Sequence, residues 1–229
     1  IAENSFGTPR NANEKNITNI VMMGMGEPLL NFDNVVSAMQ LMRHHSAYNL
    51  SKRKVTLSTS GLIPEINKLS KVSDVSLTIS LHAPNNKLRD TLVPINKKYP
   101  IQDLLKSVKD YVDSFNDKRV TTFEYILIDK VNDSLNEANE LASLLKDYPC
   151  KINLIPFNEF SLSGYSKPSN NRLRAFKECL VKKGFITTIR STRGDDIMAA
   201  CGQLVGEVKD KTKRKERLKR QVKAVEINA

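Results

Sequence analysis

Short apolar runs of strand length alternate along most of this chain with stretches whose apolar residues recur every three or four positions. That alternation restricts the possible folds more than any other feature. Strand candidates fall at 17–23, 54–59, 75–81, 120–128, 151–156 and 186–190. Within 75–81, Val75, Leu77, Ile79 and Leu81 alternate with Ser76, Thr78 and Ser80, which gives one apolar face and one face of small polar groups. Ile101, Leu104, Leu105, Val108 and Val112 trace a helical stripe against a charged face. Ser134 and Glu137 stand at capping-box spacing ahead of Ala138, Leu141 and Leu145. Leu173, Phe176 and Leu180 form a further stripe, closed by Gly184. Repeated strand–helix alternation with right-handed crossovers predicts an α/β fold with a parallel sheet, open or curled into a barrel. In either form ligands collect at the C-terminal ends of the strands.

Several classes are excluded by composition. No run of about 18 apolar residues exists, so no helix is expected to span a membrane. A basic start followed by an apolar stretch, the mark of a secretory signal, is missing as well. The three cysteines, Cys150, Cys179 and Cys201, are widely separated, which argues for a reducing, cytoplasmic setting rather than a disulfide framework. A formal net charge of +11 suits a polyanionic partner. The charge is densest in Lys209-Asp210-Lys211-Thr212-Lys213-Arg214-Lys215-Glu216-Arg217-Leu218-Lys219-Arg220, a run able to contact phosphates or to stay solvated. Residues 1–16 are polar and read as a linker or the remnant of an upstream element, 17–204 as the body of the fold, and 205–229 as a basic tail. The chain begins with Ile1, and we expect further residues upstream.

The densest local signal is Ile20-Val21-Met22-Met23-Gly24-Met25-Gly26-Glu27-Pro28. A strand-like run breaks at glycines that permit positive φ and close approach of a ligand. Pro28 then restrains the carboxylate-bearing residue just before it. One acid beside bare backbone at a strand end suits an ammonium group or a cationic cofactor. This is no dinucleotide fingerprint, since the third glycine is missing. Other predicted strand ends carry Ser58, Thr59, Ser60 and Gly61, then Ser80 and His82, then Asn158, and together they suggest a polar rim around one cavity. Cys179 on its helical stripe and Cys150 read as structural. Cys201, among small residues and near Arg190 and Arg193, is either an accessible thiol or a core residue on pattern alone.

The stretch from Met22 to Asn31 resembles the G-E-P motif of radical S-adenosylmethionine enzymes. Longer strings resemble more narrowly the dual-specificity 23S rRNA and tRNA adenine-C2 methyltransferases. They are Ser51-Lys52-Arg53-Lys54-Val55-Thr56-Leu57-Ser58-Thr59-Ser60-Gly61, Ser80-Leu81-His82-Ala83-Pro84-Asn85, Pro94-Ile95-Asn96-Lys97-Lys98-Tyr99, Arg193-Gly194-Asp195-Asp196 and Ala199-Ala200-Cys201-Gly202-Gln203-Leu204. The resemblance implies a partial (β/α) barrel whose N-terminal part is missing here. Gly26 and Glu27 would bind the methionine amino group of S-adenosylmethionine, and Ser58, Ser80, Leu81, His82 and Asn158 would complete that site. Cys201 would be the catalytic methyl carrier, forming S-methylcysteine before the methyl carbon reaches adenine C2. 23S rRNA and tRNA would be the substrates, flavodoxin or ferredoxin the electron donor, and the protein a cytoplasmic monomer.

Departures from the family pattern bound this expectation. The family's 4Fe-4S cluster takes its thiolates from a C-x3-C-x2-C loop, and no such spacing occurs in the sequence, so no residue here is a metal ligand. The resolving cysteine and the general-base carboxylate belong upstream of Ile17 in that family, and Met198 stands where an acid is expected. The chain by itself is therefore expected to be inactive. A relative that methylates adenine C8, and a cluster-less RNA-binding protein, are the alternatives. Pro28 and the Arg193-Gly194-Asp195-Asp196 string favour the C2 type.

Overall fold

The computed structural model describes residues 17–24, 26–159 and 163–190. The body is a six-stranded, wholly parallel sheet whose spatial order is the chain order. Its strands are β1 (Ile20–Met22), β2 (Val55–Thr59), β3 (Ser76–Ser80), β4 (Thr121–Leu127), β5 (Cys150–Pro156) and β6 (Ile186–Ile189). Helices α1 (Phe32–Arg43), α2 (Ile63–Val72), α3 (Asn86–Leu92), α4 (Ile101–Asp113), α5 (Leu135–Leu145) and α6 (Asn170–Lys182) fill the crossovers. Sequential parallel strands, each returned through a helix, are the repeating unit of a (β/α) barrel. Among the described residues β1 pairs only with β2 and β6 only with β5, so the barrel is partial, as the sequence led us to expect.

Register and period two sort the strand side chains into two layers. Val55 and Leu57, Leu77 and Ile79, Phe123, Tyr125 and Leu127, and Ile152 and Leu154 are all buried. They join one core with Ile66 and Leu69 of α2, Leu104, Leu105 and Val108 of α4, Leu141 and Leu145 of α5, and Phe176 and Leu180 of α6. Burying a side chain of this size stabilises by roughly 1.5–3 kcal/mol, so this helix-side layer carries most of the fold. The opposite, concave face holds Ser58, Thr78, Glu124 and Asn153. It is the small polar face anticipated for 75–81, extended across neighbouring strands.

Local signals act as their chemistry requires. Ser134 and Glu137 form the full capping box of α5, with Ser134 Oγ accepting from Asn136 N at 3.1 Å. Gly184, just beyond α6, has φ +88° and takes the left-handed turn that stops the helix. Five observed strands are one to four residues shorter than the apolar runs, while β5 starts one residue earlier than its run. The largest loss is at β1, where only Ile20–Met22 find ladder partners in Val55–Leu57. Cys150 opens β5, and burial pushes its thiol up to about 12, consistent with a structural role. Cys179 is half-buried against the core, and its Sγ donates to Asn139 Oδ1 at 3.5 Å. Cys201 and the basic tail lie outside the described residues.

Candidate functional site

Glu27 is built into the C-terminal end of the sheet from two sides. Its backbone precedes a 3-10 turn, Pro28–Asn31, and its Oε1 accepts the Leu29 N–H of that turn at 3.2 Å. Its Oε2 accepts both Ser60 N–H and Ser60 Oγ–H, each at 2.7 Å. Ser60 follows β2, so the acid is clamped across two adjacent strand ends. A carboxylate has about four acceptor positions, which leaves capacity for one more cationic donor. Ahead of it, a Cβ added at Gly24 (φ +142°) or at Gly26 (φ +90°) would meet nothing within 4 Å. A side chain at either position would be strained by the positive φ.

Arg89 organises the next two strand ends from beneath. It is fully buried. Its Nε donates to Leu81 O at 3.1 Å, and its Nη2 to Ser60 O at 2.6 Å and Ser80 O at 3.2 Å. Its Nη1 donates to Asn96 Oδ1 at 3.0 Å, and Asn96 Nδ2 in turn donates to Asp90 Oδ1 at 2.6 Å. Parallel strands leave carbonyls unpaired at their C-terminal ends, and the guanidinium fork satisfies three of them at once. Burial pulls Arg89 down to about 10, which still leaves it charged at neutral pH.

His82 sits just past β3 with φ +61°, an uncommon conformation for a non-glycine residue. Asn132 Nδ2 holds the turn by donating to His82 O at 3.0 Å and Ile126 O at 2.6 Å. His82 Nδ1 accepts Ile126 N–H at 3.2 Å, which assigns the proton of the neutral ring to Nε2. Burial, with the Arg89 charge adding to it, pulls the imidazole down to about 4. The ring is therefore neutral at physiological pH.

Of the other expected residues, Ser58 is buried on the concave face and Ser80 is half-buried at the end of β3. Neither hydroxyl has a protein partner among the described residues, so both are free to meet a ligand. Leu81 differs: its side chain is in the helix-side core, its N–H donates to Glu124 O at 3.0 Å and its carbonyl takes Arg89. Its contribution is to fix the backbone between Ser80 and His82. Asn158 lies half-buried two residues past β5, on the far side of the sheet from Glu27. Sequence reasoning missed Arg89, Asn132 and Glu124, and it left Ser60 outside the cofactor set. Glu124 was detectable as the one acid inside an otherwise apolar strand run.

The described residues thus form a partial parallel barrel with a clamped acid at its first strand end. A family model described as the radical SAM superfamily matches residues 9–144, and the chain belongs to that superfamily. It is 61% identical over 217 residues to the dual-specificity RNA methyltransferase RlmN of Saccharophagus degradans, covering 94% of this chain and 54% of that relative. The protein of the same name from Pseudomonas entomophila is 58% identical over 217 residues, covering 95% and 57%. A crystal structure of a radical SAM methyltransferase from Sphaerobacter thermophilus superposes with a TM-score of 0.77 at 45% identity, covering 81% of this chain and 54% of that one. The chain spans about half the length of the curated relatives it matches.

Proposed function

We propose that this chain carries the S-adenosylmethionine-binding part of an RNA methyltransferase that modifies adenine C2 in 23S rRNA and tRNA. The single observation that carries the reading is the Glu27 clamp, a carboxylate held by Ser60 and Leu29 with acceptor capacity to spare, next to Gly26, where no side chain stands in the way. In this reading Glu27 and Gly26 take the ammonium of the cofactor's methionine part. Ser58 and Ser80 offer hydroxyls, His82 offers an uncharged N–H, and Asn158 closes the far side. S-adenosylmethionine supplies the activated methyl group.

The residues present fit that cofactor but not an iron–sulfur cluster. The three cysteines of the sequence lack the cluster spacing, and two of them are structural in β5 and α6. We assign no step to a cluster held by this chain. Cys201, whose thiolate would attack the sulfonium methyl, break its bond to sulfur, release S-adenosylhomocysteine and hold the methyl as a thioether, belongs to the proposal as the catalytic residue. So do the basic tail as an RNA contact, a flavodoxin or ferredoxin as electron donor, and the division at 17–204 and 205–229. The matching relatives named as dual-specificity RNA methyltransferases support the choice of substrate.

The test uses the full-length protein, anaerobic, with a reductant, S-adenosylmethionine and unmodified RNA. Mass spectrometry of the digested RNA should find 2-methyladenosine, and Cys201→Ala should abolish it. Only 8-methyladenosine, or unchanged methylation by Cys201→Ala, would overturn the reading.

A further inference from the structure

Beyond Ser80, one row of side chains crosses the concave face and is explained neither by the cofactor site nor by packing. Strand register sets Ser80 opposite Glu124, Glu124 opposite Asn153, and Asn153 opposite Thr188. Thr188 Oγ1 donates to Asn153 Oδ1 at 3.0 Å, and Asn153 Nδ2 donates to Glu124 Oε1 at 3.4 Å. Glu124 is 5% exposed. That long hydrogen bond is its only side-chain partner among the described residues, so one carboxyl oxygen is left free. No ion pair reaches it, although the Arg190 charge is felt from the end of β6. Burial pushes the carboxyl above the usual range, the first and largest influence on it.

A buried carboxyl with one weak partner costs stability, and an apolar residue would pack at no such cost. Such groups persist where a ligand completes them. Its position suits this role, because its own backbone carbonyl accepts Leu81 N–H at 3.0 Å and His82 N–H at 3.2 Å. The side chain thus lies directly beside the proposed cofactor loop, on the face that the helices do not cover.

We propose that Glu124, oriented by Asn153, contacts the amino-bearing edge of an adenine bound on the concave face and so selects the base to be modified. The inference rests on the proposed function for the identity of that base. An ionised or protonated carboxyl oxygen accepts from the exocyclic amine of adenine, and a protonated carboxyl, towards which burial moves Glu124, would also donate to the adjacent ring nitrogen, as an amide side chain does. The N6–N7 edge lies across the ring from C2. A grip there leaves C2 pointing away from Glu124 and free for chemistry. The adenine of S-adenosylmethionine offers the same edge, so the experiment separates the two sources.

Full-length wild-type protein, Glu124→Leu and Glu124→Gln are compared on RNA carrying adenosine or purine riboside, which lacks only the amine, at the target position. In parallel, equilibrium dialysis measures S-adenosylhomocysteine binding. The wild type should favour adenosine by about tenfold, the scale of one bidentate base contact. Glu124→Leu should bring the ratio near one, and Glu124→Gln, which keeps both a donor and an acceptor, should preserve it. Asn153→Leu, a second variant should Glu124→Leu misfold, should weaken the preference. If instead Glu124→Leu weakens S-adenosylhomocysteine about tenfold and leaves the ratio alone, the occupant is the cofactor's own adenine. Unchanged ratio and unchanged dialysis together overturn the proposal. Absence of any methylated adenine with wild type would instead sink the proposed function, and the dialysis arm would still report on Glu124.

Discussion

At the residue scale, buried charge distinguishes this site from ordinary packing. Arg89 meets no carboxylate directly and is held by three carbonyls and an amide. Removing it strands those acceptors in the interior, each at about 1–3 kcal/mol though not additively. Arg89→Ala should therefore cost at least about 3 kcal/mol in urea unfolding, and a loss under about 1 kcal/mol would show that water replaces the fork. His82 and Glu124 pull stability in opposite directions with pH. His82 binds its proton less readily folded than unfolded, so its contribution is present above about pH 6.5 and is lost as pH falls towards 4. His82→Gln should flatten the stability curve in that window. Glu124 is raised, so its contribution is present below its ordinary value of 4.5 and is lost as pH rises. Glu124→Gln should raise the melting temperature at pH 7 and leave it nearly unchanged at pH 4, and a lower melting temperature at pH 7 would contradict the burial argument. Glu27 was legible in the sequence because glycines and a proline bracket it. Arg89 was not, since in a run of polar residues nothing marks one arginine as buried until α3 folds under the strand ends.

At the scale of elements, the strands and helices α4, α5 and α6 were legible because period two and period 3.6 write directly into the sequence, whereas α1 and α2 were expected only as unspecified helix between strands. Strand ends were read less well, since ladder partners rather than local pattern decide where β1 begins. The short α3 was missed because seven residues are too few to show a periodic stripe. The turn from β2 into α2 shows what tertiary packing adds. Gly61 has φ +111°, and a Cβ there would meet the Leu104 methyls of α4 at 3.0 and 3.1 Å. Gly164 has φ +66° with open space around it. Gly61→Ala should thus cost clearly more than Gly164→Ala, which pays only about 1 kcal/mol of backbone strain. Equal losses in paired unfolding curves would mean that Leu104 simply moves aside. Ser134→Ala, which breaks the α5 capping box, should cost about 1 kcal/mol.

For the whole molecule, one apolar layer builds the half-barrel and one polar face is left for chemistry. The division follows from alternation on every strand, and it leaves Glu27, Ser58, Ser80 and Glu124 on or beside a surface that the helices do not cover. The sequence lacks the cluster spacing, so the polypeptide of these 229 residues, reconstituted with iron and sulfide, should yield no 5′-deoxyadenosine. Product above background would refute that expectation. The most direct test of the central claim asks whether Glu27 receives an ammonium. Binding of S-adenosylhomocysteine and of its analogue lacking the α-amino group should be measured for the full-length protein and for Glu27→Gln, which keeps an acceptor for Ser60 but removes the charge. The account predicts that wild type prefers the amino compound by about tenfold or more, the scale of a charge-assisted hydrogen bond, and that Glu27→Gln loses the preference. A preference that survives in Glu27→Gln would contradict it.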